Sequence, residues 1–178
     1  MAGKLVLLVA VSLVAGAAAA QPNAAQMHEA EALYLPTPHA VVESMLRLAG
    51  VSRSDVVYDL GSGDGRIPIA AAQAYGARGV GIELDGRMLE LARRNAREAG
   101  IEHLVQFRRE DLFRADLREA TVVTLFLFPE MNRRLLPKLR AELRPGTRIV
   151  SHRFGLGDWA PERTVEAGGH PLLLWTVP

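Results

Sequence analysis

Asp55-Val56-Val57-Tyr58-Asp59-Leu60-Gly61-Ser62-Gly63-Asp64-Gly65-Arg66 is the stretch whose reading decides the fold. An apolar run rich in β-branched residues drops into a turn with three alternating glycines, then opens a segment with helical periodicity. Strand, glycine loop and helix in that order build a small-ligand site. In open α/β sheets such sites lie at the C-terminal ends of the strands.

Downstream, the pattern repeats. Ile67 to Tyr75 reads as an alanine-rich helix closed by Gly76, and Gly79 to Leu84 as a second strand ending at an acid, Glu83. Asp85 is placed to cap a helix over residues 86–99. Leu104 to Phe107 is a third strand leading into Glu110-Asp111-Leu112, and Thr121 to Phe128 a fourth, broken by Pro129. A helix to about Leu143, the turn Pro145-Gly146 and a fifth strand, Arg148 to Ser151, follow. Such alternation calls for a parallel sheet with helices on both faces. The end differs, because Thr164-Val165-Glu166 and Leu172 to Val177 are separated only by Ala167-Gly168-Gly169-His170-Pro171. The expected fold is α/β: a Rossmann-like, doubly wound, mostly parallel seven-stranded sheet with a C-terminal antiparallel hairpin.

Upstream, Tyr34-Leu35-Pro36-Thr37-Pro38 holds the chain extended, with Thr37 as helix cap and Pro38 at the first helical position. Val41, Val42, Met45, Leu46 and Leu48 give that helix an apolar face, and Gly50 ends it. Because this helix precedes the first strand, Thr37 is also placed to reach the ligand. Further back, Lys4 is followed by an uncharged, largely apolar run from Leu5 to Ala20, ending in small residues before Gln21. Residues 1–20 read as a secretory signal peptide cleaved after Ala20, which implies a periplasmic or secreted protein. The alternatives are an uncleaved membrane anchor, or a misplaced start with Met27 as the true one and a cytoplasmic protein. Residues 21–32 are a linker, and 33–178 the domain.

Composition narrows the classes. A length of 178 residues suits one domain with a real core. Basic and acidic side chains nearly balance, 21 against 20, so no dedicated nucleic-acid surface is expected. Without cysteine there is no disulfide, no thiolate-ligated zinc and no cysteine nucleophile. The five histidines are too scattered for a local metal motif, and no metal site is expected.

The chemistry gathers at the strand ends. Gly61, Gly63 and Gly65 are evenly spaced, unlike the dinucleotide fingerprint, whose last two glycines are three apart. Asp59 and Asp64 beside them would repel a pyrophosphate and suit a cationic ligand. Glu83, 18 residues after Gly65, is placed for ribose hydroxyls. Asp111, at the end of the third strand, is placed for an adenine amino group; the bland alternative is a turn acid. A ligand with ribose, adenine, an amino acid and a positive centre fits, and that describes S-adenosylmethionine.

Asp59-Leu60-Gly61-Ser62-Gly63-Asp64-Gly65 resembles the first motif of class I S-adenosylmethionine-dependent methyltransferases, Glu83 with Leu84 the second and Asp111-Leu112 the third. The entry motif, Asp59 to Ile67, and the tail Ser151-His152-Arg153-Phe154…Asp158-Trp159-x-Pro161 are similar to one protein-lysine methyltransferase family. That family includes the mitochondrial ATP synthase c-subunit lysine methyltransferase and archaeal relatives. The resemblance implies S-adenosylmethionine as cofactor, held by these motifs, and a protein lysine as acceptor; mitochondrial members are also preceded by a hydrophobic segment, and a membrane-associated partner is expected as an option. In this fold the end of the fourth strand faces the methyl group. There Phe128 and Pro129 are candidates to wall a slot for an alkyl amine, with Asn132 orienting it; the alternatives are core packing for Phe128 and a helix-start role for Asn132. A small molecule or RNA as acceptor, and an exported non-catalytic nucleoside-binding domain, are the competing readings. His152 reads as a strand-end residue, and Trp159 as an anchor of the tail on the sheet.

Overall fold

The computed structural model describes residues 35–178; the leader, the linker and Tyr34 of the entry motif lie outside the described residues. Seven strands form one sheet: β1 (Val56–Leu60), β2 (Arg78–Glu83), β3 (Val105–Arg109), β4 (Val122–Leu125), β5 (Arg148–His152), β6 (Arg163–Ala167) and β7 (His170–Thr176). Four helices connect them: α1 (His39–Leu48), α2 (Arg66–Tyr75), α3 (Gly86–Glu98) and α4 (Pro129–Glu142). The strand order is β3-β2-β1-β4-β5-β7-β6, with β1 to β5 parallel and β7 antiparallel to both β5 and β6. The order reverses between β1 and β4, and the crevice above that switch point is where an open α/β sheet binds its ligand.

The alternation of side chains across the sheet sorts the core. Val57, Val122 and Val150 face α1, whose Val41, Val42, Met45 and Leu46 are buried against them. Tyr58, Leu60, Val123, Leu125 and Ile149 face the other way, onto Leu135 and Leu139 of α4. Every residue of β1 is buried, as its apolar run requires for a central strand. On β2 the apolar pattern is broken by Gly79 and Gly81, and close approach explains both. A Cβ at Gly79 would stand 2.8 Å from Pro68 Cβ, and one at Gly81 2.5 Å from Ser62 Oγ. The helix and the glycine loop therefore sit directly on the strand.

Two strand ends near the site differ from the sequence expectation because pairing decides them, and the start of α1 differs as well. The fourth strand ends at Leu125 instead of Phe128, since Leu125 pairs with Leu60 and Gly61 then turns away, leaving residues 126–128 no neighbour on that side. The third strand runs on to Arg109 because β2 continues to Glu83, its partner. Asp111 thus lies two residues beyond the strand, in a turn. Helix α1 begins at His39 with Pro38 as its cap residue and no side-chain capping bond. Thr37 does not cap it; its hydroxyl shares a buried hydrogen bond of 3.1 Å with His152 Nδ1. Asp85 caps α3 as expected, accepting from the Arg87 N–H at 2.8 Å. Among the described residues no helix is long and apolar enough to cross a membrane.

Candidate cofactor and acceptor site

Backbone geometry at the end of β1 shapes the first half of the site. Gly61, Gly63 and Gly65 all have positive φ, of 81°, 51° and 78°, a region costly for other residues. The N–H groups of Gly61 and Ser62 both donate to the Ile82 carbonyl, at 2.9 and 3.0 Å, which ties the loop to β2. The Ser62 side chain is buried and turned down onto Gly81, with no hydrogen-bond partner for its oxygen. A Cβ at Gly65 would meet the Phe107 ring at 2.6 Å, so glycine here lets α2 start against β3.

Glu83 is oriented by backbone alone. Its Oε2 accepts from Gly63 N–H at 2.9 Å, and its Oε1 from the N–H groups of Leu84 and Asp85 at 2.7 and 2.9 Å. A carboxylate offers about four acceptor sites, so capacity remains for a ribose hydroxyl. Leu84 next to it is 64% exposed, an apolar surface beside the carboxylate. Asp111 accepts from Phe113 N–H at 2.9 Å and so shapes its own turn, with Leu112 packed half-buried against the core behind it.

Asp59 is 3% exposed, and its Oδ1 accepts from Thr124 Oγ1 at 2.7 Å. Burial pushes its carboxyl up to about 7; the charges of Glu83 and Asp64 push the same way, and only the Thr124 bond opposes them. Asp64 behaves differently. Burial raises it too, but the hydrogen bonds and charge of Arg66 outweigh that and hold it below its ordinary value. Arg66 grips the Asp64 carboxylate at 2.6–3.2 Å and also donates to the Thr37 carbonyl at 2.9 Å, joining the entry segment to the loop. Asp59 is thus raised first by burial and then by the neighbouring carboxylates of Glu83 and Asp64, and a cation bound beside it would favour its charged form. The residues present fit S-adenosylmethionine, whose charged amino-acid end Asp59 and the loop would hold and whose ribose Glu83 would accept from.

The second half of the site lies beside it, above β4 and β5. Phe126 follows β4 and its ring lies 4.1 Å, centroid to centroid, from that of His152 at the end of β5. Phe154 stacks on Phe126 at 6.3 Å and reaches Phe128 at 6.1 Å. Phe128 is half exposed and Pro129, the first residue of α4, is exposed beside it. Asn132 is fully buried; its Nδ2 donates to the carbonyls of Phe154 and Gly155 at 3.4 and 3.1 Å. Its side chain thus holds the 154–155 loop. Trp159 lies under the Arg140 guanidinium, and its carbonyl accepts from Trp175 Nε1 at 2.9 Å, tying the tail to the sheet.

Sequence reasoning missed Thr124, Arg66, Phe126 and Phe154. Thr124 carried a signal, a lone hydroxyl inside an apolar strand. Phe154 lay in the tail motif, but its place beside Phe126 depends on Asn132, 22 residues away.

Residues 59–163 match the family model described as the ANTKMT methyltransferase domain. A protein-lysine N-methyltransferase of Saccharolobus islandicus is 43% identical over 149 residues, covering 81% of this chain and 92% of that one. The adenine nucleotide translocase lysine N-methyltransferase of Mus musculus is 42% identical over 127 residues; the match covers 71% of this chain and 55% of the mouse protein. This chain thus spans little more than half of the mouse protein. Among solved structures, an RNA methyltransferase from Salinibacter ruber in complex with S-adenosyl-L-homocysteine superposes with a TM-score of 0.80 at 57% identity, covering 81% of this chain and 94% of that one. The loop geometry and these matches agree on the cofactor. The chain belongs to the ANTKMT methyltransferase domain family, and it is a methyltransferase that uses S-adenosylmethionine.

Proposed function

We propose that the acceptor is the ε-amine of a lysine in another protein. The observation that carries this reading is the correspondence along 92% of the length of an archaeal protein-lysine methyltransferase. The chemistry asks little of the protein beyond alignment and a neutral amine. The cofactor supplies a methyl group already activated on a sulfonium. The amine lone pair forms the N–C bond as the C–S bond breaks, sulfur keeps the bonding electrons as a neutral thioether, and the amine's surplus proton passes to solvent. The chain must hold the nitrogen in line at about 3–3.5 Å from the methyl carbon and keep water away. The apolar rim of Phe126, Phe128, Pro129 and Phe154 suits this task, since partial desolvation favours the neutral amine over the ammonium.

The Salinibacter relative's description as an RNA methyltransferase supports a second reading, RNA as acceptor. An RNA substrate needs a basic surface to track phosphates. The near balance of 21 basic against 20 acidic side chains argues for protein instead, and Arg47, Arg87, Arg94, Arg118 and Arg133 are each paired to a neighbouring carboxylate. Purified full chain with methyl-labelled donor, added to a cell extract, decides between them. Label removed by protease and mapped to lysine supports the proposal; label removed by ribonuclease overturns it. The compartment implied by the leader is tested by sequencing the mature N-terminus, where Gln21 means export and Met1 or Met27 does not.

A further inference from the structure

One buried residue interrupts an exposed segment. Pro36, Pro38, His39 and Ala40 are exposed, yet Thr37 among them is 4% exposed. Pro38 keeps Thr37 extended, so local folding does not bury it. Two long-range bonds hold it instead. Its carbonyl accepts from Arg66 Nη1 at 2.9 Å, and its hydroxyl shares the 3.1 Å hydrogen bond with His152 Nδ1. These partners are 29 and 115 residues away in sequence.

The partners belong to different parts of the site. Arg66 opens α2 and grips Asp64 in the glycine loop, whose carbonyl takes a further bond from Asn95 Nδ2 of α3 at 3.0 Å. One residue earlier, the Gly63 N–H donates to Glu83. His152 ends β5 and is 1% exposed, and its ring lies 4.1 Å from that of Phe126, just after β4. The loop follows β1, and the strands run in the order β1-β4-β5. Thr37 therefore joins the two sides of β4, about 10 Å apart at about 4.8 Å per strand. That span crosses the crevice at the switch point.

The bond to His152 acts by geometry and not by charge. Burial, with smaller contributions from His170 and Arg153, holds the His152 pKa down at about 4, so the ring is neutral at neutral pH. Its Nε2 has no hydrogen-bond partner, which makes the Thr37 hydroxyl the polar anchor of the ring.

We propose that Thr37 is a positioning residue for methyl transfer: acting through Arg66 and His152, it fixes the glycine loop and the end of β5 in one arrangement. Transfer from a sulfonium needs the nucleophile in line at about 3–3.5 Å, and a misplacement of about 1 Å costs about 100-fold in rate. A residue that ties the cofactor loop to the far side of β4 controls that alignment while adding little to cofactor affinity. The inference goes beyond the lysine reading, because every acceptor needs the same alignment.

The test uses the full chain, a cell extract as acceptor and methyl-labelled S-adenosylmethionine at varied concentration. Thr37→Val keeps the branched shape and the carbonyl and deletes the hydroxyl. It should lower the maximal rate of label uptake about 10- to 100-fold, with the apparent KM for donor and the S-adenosylhomocysteine affinity unchanged within about twofold. Thr37→Ala, which leaves more room beside the histidine, is the second deletion variant and should behave alike. Thr37→Ser returns the hydroxyl and should recover most of the rate. Arg66→Met releases the other hold. Both changes break one link, so the double variant Thr37→Val with Arg66→Met should lose no more rate at saturating donor than the worse single variant; independent structural roles would add. Four results overturn the inference: an unchanged maximal rate in the deletion variants, a serine variant as slow as they are, a loss of S-adenosylhomocysteine affinity that matches the loss of rate, or additive losses in the double variant. Rates are compared in whichever fraction takes the label, so label in RNA fails the lysine reading while the variants still decide this inference.

Discussion

Replacing Asp59 by asparagine tests the claim that burial, reinforced by two neighbouring carboxylates, holds this carboxyl well above its ordinary range. In the folded chain without cofactor the Asp59 carboxyl is pushed up to about 7, first by burial and then by Glu83 and Asp64, from an ordinary value of 3.8. Between those two values the folded state holds a proton that the unfolded chain has released. Stability must therefore fall as pH rises through that window and level off above about pH 7. From about pH 5 to about pH 8 the loss attributable to this one group is about 2–3 kcal/mol. Asparagine keeps an oxygen for the Thr124 hydroxyl but cannot ionise. The stability difference between variant and wild type should thus grow with pH in the variant's favour. Urea unfolding of both proteins at the two pH values, without cofactor, measures it; other titrating groups cancel in the difference. The same variant should lose affinity for S-adenosylmethionine, since the charge that a cation repays is gone. A stability difference that stays flat from pH 5 to pH 8 would refute the reasoning, whatever happens to binding.

Glu83→Ala removes the acceptor of three backbone N–H groups and the candidate ribose contact, so S-adenosylhomocysteine should bind about 100-fold more weakly by calorimetry. Gly81→Ala puts a Cβ 2.5 Å from Ser62 Oγ and 2.6 Å from the Phe107 ring, which should cost about 1–3 kcal/mol in denaturant unfolding and weaken cofactor binding with it. Asn132→Ala frees the carbonyls of Phe154 and Gly155, and should impair acceptor turnover while leaving S-adenosylhomocysteine affinity within about twofold, because that helix holds the acceptor rim and not the loop. At the opposite end of the sheet, Arg148 pairs with buried Asp55. Burial raises the Asp55 carboxyl, but hydrogen bonds from Thr121 and Ser52 and the Arg148 charge outweigh it and hold the pKa low. Its stabilisation is present above the ordinary carboxylate value and is lost as pH falls through the lowered one; Arg148→Met should cost about 3 kcal/mol at neutral pH, read by thermal or urea unfolding.

The cofactor half of the site was legible because it is local. One strand, one loop and one helix start, all within Asp55 to Arg66, carry the glycines and two of the acids, and Glu83 follows at the next strand end. Strand–helix alternation supplied the sheet and the hairpin in the same way. What periodicity could not supply was the point at which pairing stops. Phe126 to Phe128 look like strand because they are apolar, yet the strand ends at Leu125 because its partner turns at Gly61. Thr37 looked like a cap because threonine before proline suits one. The structure spends its hydroxyl on His152, 115 residues later, a bond no local pattern announces.

The two halves therefore answer to different kinds of information, and the division follows the chemistry. Binding a fixed cofactor can be encoded in a short backbone motif, since its recognition runs through N–H groups and carboxylates held on adjacent strand ends. The rim proposed for the acceptor is assembled from four separate segments: Thr37 before α1, Phe126 after β4, Asn132 on α4 and residues 151–154 at the end of β5. Each contributes one to three side chains, and a positive φ at Arg153 lies between His152 and Phe154 in the last of them. A site built that way can exchange one acceptor for another by changing a loop residue while the glycine loop stays as it is. On the lysine reading, the rim of Phe126, Phe128 and Phe154, and not the loop, is therefore where acceptor choice is to be sought.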